Sequence, residues 1–183
     1  MPAGCGRIFY VLKDEEPYIR LIIRVKEKIR FINNSEDSYT MDEIIEKLRD
    51  KDENAAYEFA KKIGIESAES DKYVEKIPVF SEMLTDKNSY VRTRAFMLIC
   101  NQARWADNGQ IEMAFNQMKA LLYDAKPTVV RQCLGALHEV ILYRPEMIEL
   151  IFEAVNNIDL SVYKDSMSPL IKKDIEELMA VVK

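Results

Sequence analysis

Residues 77–99 read IPVFSEMLTDKNSYVRTRAFMLI. Tyr73, Ile77, Phe80 and Leu84 recur at spacings of four, three and four, which places them on one face of a helix. The stretch 85–89, TDKNS, is polar and turn-forming, with Asn88 and Ser89 as candidate N-caps. Val91, Ala95, Leu98 and Gln102 then make a second helical face, apolar at its first three members. Two amphipathic helices joined by so short a connection form an antiparallel hairpin, and neither buries its apolar stripe alone.

The pattern repeats downstream, as the building unit of a stack does. Met83-Leu84-x-Asp86 matches Leu121-Leu122-x-Asp124 at an offset of 38, and Val91-Arg92 matches Val130-Arg131 at 39. A third copy follows: Asp165 lies seven positions before Lys172, as Asp124 lies before Arg131, and Leu134, Leu137 and Ile141 align with Ile175, Leu178 and Val182. Pro127 and Pro169 precede these helices, where a proline costs little because the N–H it lacks has no partner in the helix. A weaker copy comes earlier. Ile44, Ile45 and Leu48 form one short face, Ala56, Ala60 and Ile63 the next, and Gly64 reads as a C-terminal stop. Its Arg position is missing, as the atypical terminal unit of a stack allows.

A proline in the first helix (Pro78), an Asp at the turn (Asp86, Asp124, Asp165) and a following Val-Arg (Val91-Arg92, Val130-Arg131) resemble the HEAT-repeat family over roughly residues 41–183. The resemblance implies an all-α, right-handed α-α superhelix, a HEAT-like solenoid of about four helical hairpins. It also implies that Arg92, Arg131 and Lys172 form a ladder with Asp86, Asp124 and Asp165, and that the second helices line a concave surface. More narrowly the chain looks like short bacterial HEAT-like proteins often labelled SufBD. A more distant likeness is to the HEAT-like alkylpurine DNA glycosylases.

Composition agrees with one globular repeat domain. The chain has 183 residues, 48% hydrophobic and 31% charged, with a net charge of −5. Only three of its five glycines lie beyond residue 40, too little turn punctuation for a β-sandwich. No run is long enough to span a membrane. Residues 1–40 carry a net +1 and the remainder −6, so the repeat body is acidic.

Residues 1–40 do not fit the repeat. Ile8–Leu12 reads as a short strand or a stray apolar run, and Tyr18–Phe31 as a basic amphipathic stretch suited to a partner or an interface. Acidic Asp14, Glu15 and Glu16 directly after the early apolar run argue against a secretory signal. A competing expectation is that translation starts at Met41, with Ser35-Glu36-Asp37 encoded by a ribosome-binding-site-like run and 1–40 a mis-assigned extension. The intact mass of the native protein decides between them. Further on, residues 64–71 and 105–110 read as connectors, the latter with Asn108-Gly109 as its turn signal. Residues 156–168 form the longest connector inside the array, and Ser168 is placed to cap the last helix.

Little in the chain points to catalysis. One histidine and three cysteines without a C-x-x-C or a His pair give no metal motif, and no metal or cofactor is expected. Sparse cysteine fits a reducing cytoplasm. His138 reads as a partly buried structural residue, with no nucleophile signature beside it. The second helices carry the candidate binding residues: Arg94, Asn101, Arg104 and Trp105 from one repeat, Gln132, Glu139, Tyr143 and Arg144 from the next. In the repeat register Arg104 aligns with Tyr143 and Trp105 with Arg144. Arg, Trp and Tyr gathered in this way are typical of binding hot spots. The favoured function is a non-enzymatic scaffold presenting its concave surface to a protein partner. The alternative is a nucleic-acid binder related to the glycosylases. It requires Arg92, Arg94, Arg104, Arg131 and Arg144 to converge on one face with little acid between them.

Overall fold

The computed structural model describes residues 39–182. The readings of Ile8–Leu12, Tyr18–Phe31 and Ser35-Glu36-Asp37 lie outside the described residues. Among those described there are eight α-helices: α1 (Met41–Leu48), α2 (Glu53–Glu69), α3 (Ile77–Met83), α4 (Ser89–Asn101), α5 (Asn108–Met118), α6 (Pro127–Tyr143), α7 (Ile148–Asn156) and α8 (Ser168–Ala180). No strand occurs among them, and the architecture is the all-α solenoid that the repeat implies.

The helices form two layers. The second helices pack in succession, α2 on α4, α4 on α6 and α6 on α8. On the other side α1 packs on α2, α3 on α4 and on α5, and α7 lies against the 3-10 turn Lys119–Tyr123 that continues α5. The faces read from 73–102 supply the core between the layers. Tyr73, Ile77, Phe80 and Leu84 are all buried, as are Val91, Ala95, Leu98 and Gln102. Phe96 and Phe115 join them. The one polar member, Gln102, donates to Ser67 Oγ (2.8 Å) and to the carbonyl of Leu98 (3.1 Å). Both bonds are made by the amide nitrogen, while Gln102 Oε1 is buried without a hydrogen-bond partner among the described residues.

Helix starts follow local chemistry. Thr40 and Glu43 make a reciprocal capping box on α1, with Glu43 Oε2 accepting from Thr40 N at 2.8 Å. Asn88 caps α4 by accepting from Tyr90 N at 3.0 Å. In the first three hairpin turns the repeat Asp does one job: Asp50, Asp86 and Asp124 each accept the N–H two residues on, at 2.9 Å.

Three local expectations are corrected. Gly64 does not stop α2, which runs on to Glu69, so most of the connector read at 64–71 is helix. Asn108-Gly109 is not a turn. Asp107 and Gln110 close a capping box that makes Asn108 the first residue of α5, and the chain turns earlier, where Ala106 N bonds the carbonyl of Gln102 at 2.9 Å. Ser168 does not cap α8. Its N–H is held by the carbonyl of Lys164 at 3.0 Å, it is already the first helical residue, and Met167 occupies the cap without a side-chain bond.

Candidate binding surface

The second-helix layer carries a trough across α2, α4 and α6, with a volume of about 540 Å³. A further recess of about 330 Å³ between α2 and α4 shares Tyr57, Arg94, Met97 and Asn101 with it, so the two are continuous. The floor is open because its residues are small. Gly135, in the middle of α6, has nothing outside its own helix backbone within 4 Å of where its Cβ would be, and Thr93 and Ala136 lie beside it in the lining. Glycine costs a helix interior about 0.5–1 kcal/mol relative to alanine, and no crowding at Gly135 offsets that. The rim is aromatic: Tyr57 is 47% exposed and Tyr90 59%.

Arg94, Asn101 and Gln132 line this trough, but Arg94 is not displayed in it. It is 4% exposed. Its guanidinium donates to the carbonyls of Leu48 (3.0 Å) and Glu53 (3.1 Å) and to the Glu53 carboxylate. Arg94 therefore clips the α1–α2 turn onto α4, and its expected role as an open contact is replaced by a structural one. The Glu53 carboxyl is held below its usual 4.5, first by the amide of Asn88, which donates to it at 2.8 Å, and then by Arg94. The trough's one buried cation is thus neutralised from within.

Arg104, Trp105 and Tyr143 come together as the repeat register predicts. The Arg104 guanidinium carbon lies 4.8 Å from the Trp105 ring centre and 5.6 Å from that of Tyr143. Its Nη1 donates to the carbonyl of Ala68 at 3.0 Å, and Trp105 Nε1 donates to that of Ser67 at 2.6 Å. Ala68 lines the recess, so this cluster adjoins its end. Arg104 remains exposed. Glu139 is exposed on α6, one turn before Tyr143, and Arg144 is the half-buried C-cap of that helix.

The other arginines form the inter-repeat ladder with one change of partner. Arg49 Nε lies 2.9 Å from Asp86, and Arg92 Nη2 lies 2.5 Å from Asp124. Arg92 also donates to the carbonyls of Asp86 (2.9 Å) and Lys87 (3.2 Å). Arg49, from the end of α1, thus supplies the rung whose arginine is missing from its repeat position. Arg131 does not reach Asp165. It takes both oxygens of Asp174 on α8, at 2.5 and 3.1 Å. The longer connection before α8 leaves Asp165 exposed, and Lys172 only touches Glu176 at 3.9 Å on its own helix. Arg92, Arg94 and Arg131 therefore each face an acid, and the convergent unpaired cluster that the nucleic-acid reading needs does not form from them.

The remaining candidates for chemistry sit within the helices. His138 Nδ1 lies 3.0 Å from the carbonyl of Gly135. Burial pushes the thiols of Cys100 and Cys133 well up, away from reactive thiolate. Among the described residues no three His, Cys, Asp or Glu side chains are grouped to hold a metal, and no helix is long and apolar enough to cross a membrane.

Sequence reasoning missed Tyr57, Tyr90, Met97 and Gly135. For Tyr57 and Met97 the signal was available in the repeat register, since offsets of 36 and 39 put Tyr57, Thr93 and Gln132 in one row and Lys61, Met97 and Ala136 in the next. Both rows contribute to the trough and its recess. Ala68, Arg104 and Tyr143 make a third row by the same offsets.

Residues 63–166 match a protein family described as Cnd1, non-SMC mitotic condensation complex subunit 1. The matched span holds α3 to α7 entire and covers more than half of the chain. No curated protein matches the chain, and no solved structure does.

Proposed function

The chain belongs to the family of non-SMC mitotic condensation complex subunit 1, and on that premise we propose that it is a non-enzymatic HEAT-like scaffold holding a protein partner in the trough across α2, α4 and α6. The observation that carries this reading is the character of the trough. It offers exposed tyrosines, a methionine and side-chain amides, while its buried arginine is matched by Glu53. Aromatic and adaptable polar groups around an apolar floor are how protein interfaces are built. The family's description as a subunit of a complex points the same way. The paired ladder and the acidic repeat body count against a phosphate backbone as the ligand. The buried free thiols suit a reducing cytoplasm.

The test places a photo-crosslinking residue at Tyr57 in the trough or at Met113, which is exposed in the groove between α3 and α5 on the opposite layer. A discrete protein adduct from position 57 and none from 113 is the expected result. Anisotropy titrations of the full chain against labelled duplex and single strand run alongside at two salt concentrations. Tight nucleic-acid binding that falls steeply with salt, or equal cross-linking from both positions, overturns the scaffold reading.

A further inference from the structure

The geometry points to Arg104 as the anchor for the single carboxylate side chain of an extended, largely apolar peptide lying along the trough. This deepens the proposed function and rests on it. Arg49, Arg92, Arg94 and Arg131 each have a carboxylate partner. Arg104 has none among the described residues, although it too is held in place. The rings of Trp105 and Tyr143 fix its plane, the Ala68 carbonyl takes one N–H, and the Ser67 carbonyl pins the Trp105 indole in turn. A guanidinium has about five N–H donors in a rigid fork. The donors left over here are pre-oriented and exposed, and the group that fits such a fork is a carboxylate bound through both oxygens. Because the side chain is already ordered, a ligand does not have to order it.

The surroundings narrow the ligand further. The repeat body carries a net −6, and Glu139 is exposed one turn from Tyr143, so a run of negative charge is repelled. One carboxylate among apolar and small residues is accepted. Beyond the anchor, Asn101 and Gln132 offer amides that suit a peptide backbone, and the bare floor at Gly135 receives a side chain. From α2 to α6 is two helix spacings of roughly 8–10 Å each, the reach of about six extended residues.

The experiment selects binders from a displayed library of random peptides with blocked C-termini, against the full chain and against Arg104→Gln. The chain's single tryptophan is Trp105, so its fluorescence reports occupancy directly. Peptides recovered with the unaltered chain are expected to share one Asp or Glu among apolar residues. Replacing that acid by its amide, or Arg104 by Gln, weakens binding about tenfold or more, and the two changes together cost no more than one. The acid-to-amide change in the peptide probes the unaltered protein, so the answer does not depend on the variant folding. Gly135→Leu, which fills the floor, abolishes binding while the melting temperature does not fall. Peptides that are lost with Gly135→Leu but show no acid preference overturn the anchor and leave the scaffold reading intact. Recovered peptides that ignore Gly135→Leu, or none recovered at all, overturn both.

Discussion

The side-chain amide of Asn101 on α4 lies where a side chain on Gly64 of α2 would begin: a Cβ there would be 2.7 Å from Asn101 Nδ2. Gly64 is therefore a point of close approach between two inner helices. Gly135, one helix further on, meets nothing. Gly135→Ala is expected to raise stability by about 0.5–1 kcal/mol, the usual gain from removing a mid-helix glycine. Gly64→Ala should gain less, because Asn101 must swing away from α2. Thermal melts of the two variants compare them, and equal gains would show that the Gly64–Asn101 contact constrains nothing.

Arg94 joins α4 to the turn between α1 and α2 through two carbonyls and one carboxylate. Arg94→Met keeps much of the volume but leaves those acceptors without their donor. Loss of a buried charge-assisted network of this size costs about 2–4 kcal/mol. Urea denaturation measures it. A loss well under 1 kcal/mol would mean that water replaces the guanidinium at no cost.

Acid should loosen the same joint. The Glu53 carboxyl sits below its usual 4.5 because Asn88 and Arg94 stabilise its charged form. A carboxyl lowered by folding contributes stability that is fully present above the unfolded value and is lost as pH falls through the folded one. Glu53→Gln is therefore expected to be less stable than the unaltered chain at neutral pH. That difference should close as pH drops below about 4.5. Melting temperatures of both proteins between pH 7 and 3 read it out. A difference that stays constant over that range would remove Glu53 from the account.

The ladder rungs are unequal. Arg92 pairs with Asp124, both largely buried, and also holds the carbonyls of its own turn. Lys172 touches Glu176 across open solvent. Arg92→Ala is expected to cost about 1–3 kcal/mol, and Lys172→Ala less than about 0.5 kcal/mol. A double-mutant cycle over Arg92 and Asp124 should show coupling that persists in salt, whereas the Lys172–Glu176 coupling should vanish.

The layered stack was legible because its evidence is periodic. Each apolar face recurs at helical spacing, and the Asp and Val-Arg marks fix the register between copies. The register also carried the row Ala68, Arg104, Tyr143, which the structure closes by a hydrogen bond and a ring contact. What escaped depends on neighbours far away in sequence. Nothing near Arg94 announces that the carbonyls of Leu48 and Glu53 will need its donors. Gly64 looks like a helix stop until Asn101 is seen above it. Asp165 occupies the right place in the repeat, yet Asp174 takes Arg131, because the length of the connection before α8 moves the turn out of reach.

The inner helices pack in succession, α2 with α4, α4 with α6 and α6 with α8. Such an array behaves as a one-dimensional chain of coupled units, each stabilised by the interfaces on its two sides. Among the described residues the outermost units have one neighbour and open first, so amide exchange should be slowest in α4 and α6 and fastest toward α1 and α8. A ligand seated from α2 to α6 bridges two of those interfaces at once. It would act as a splint, slowing exchange in α2 far from any atom it touches.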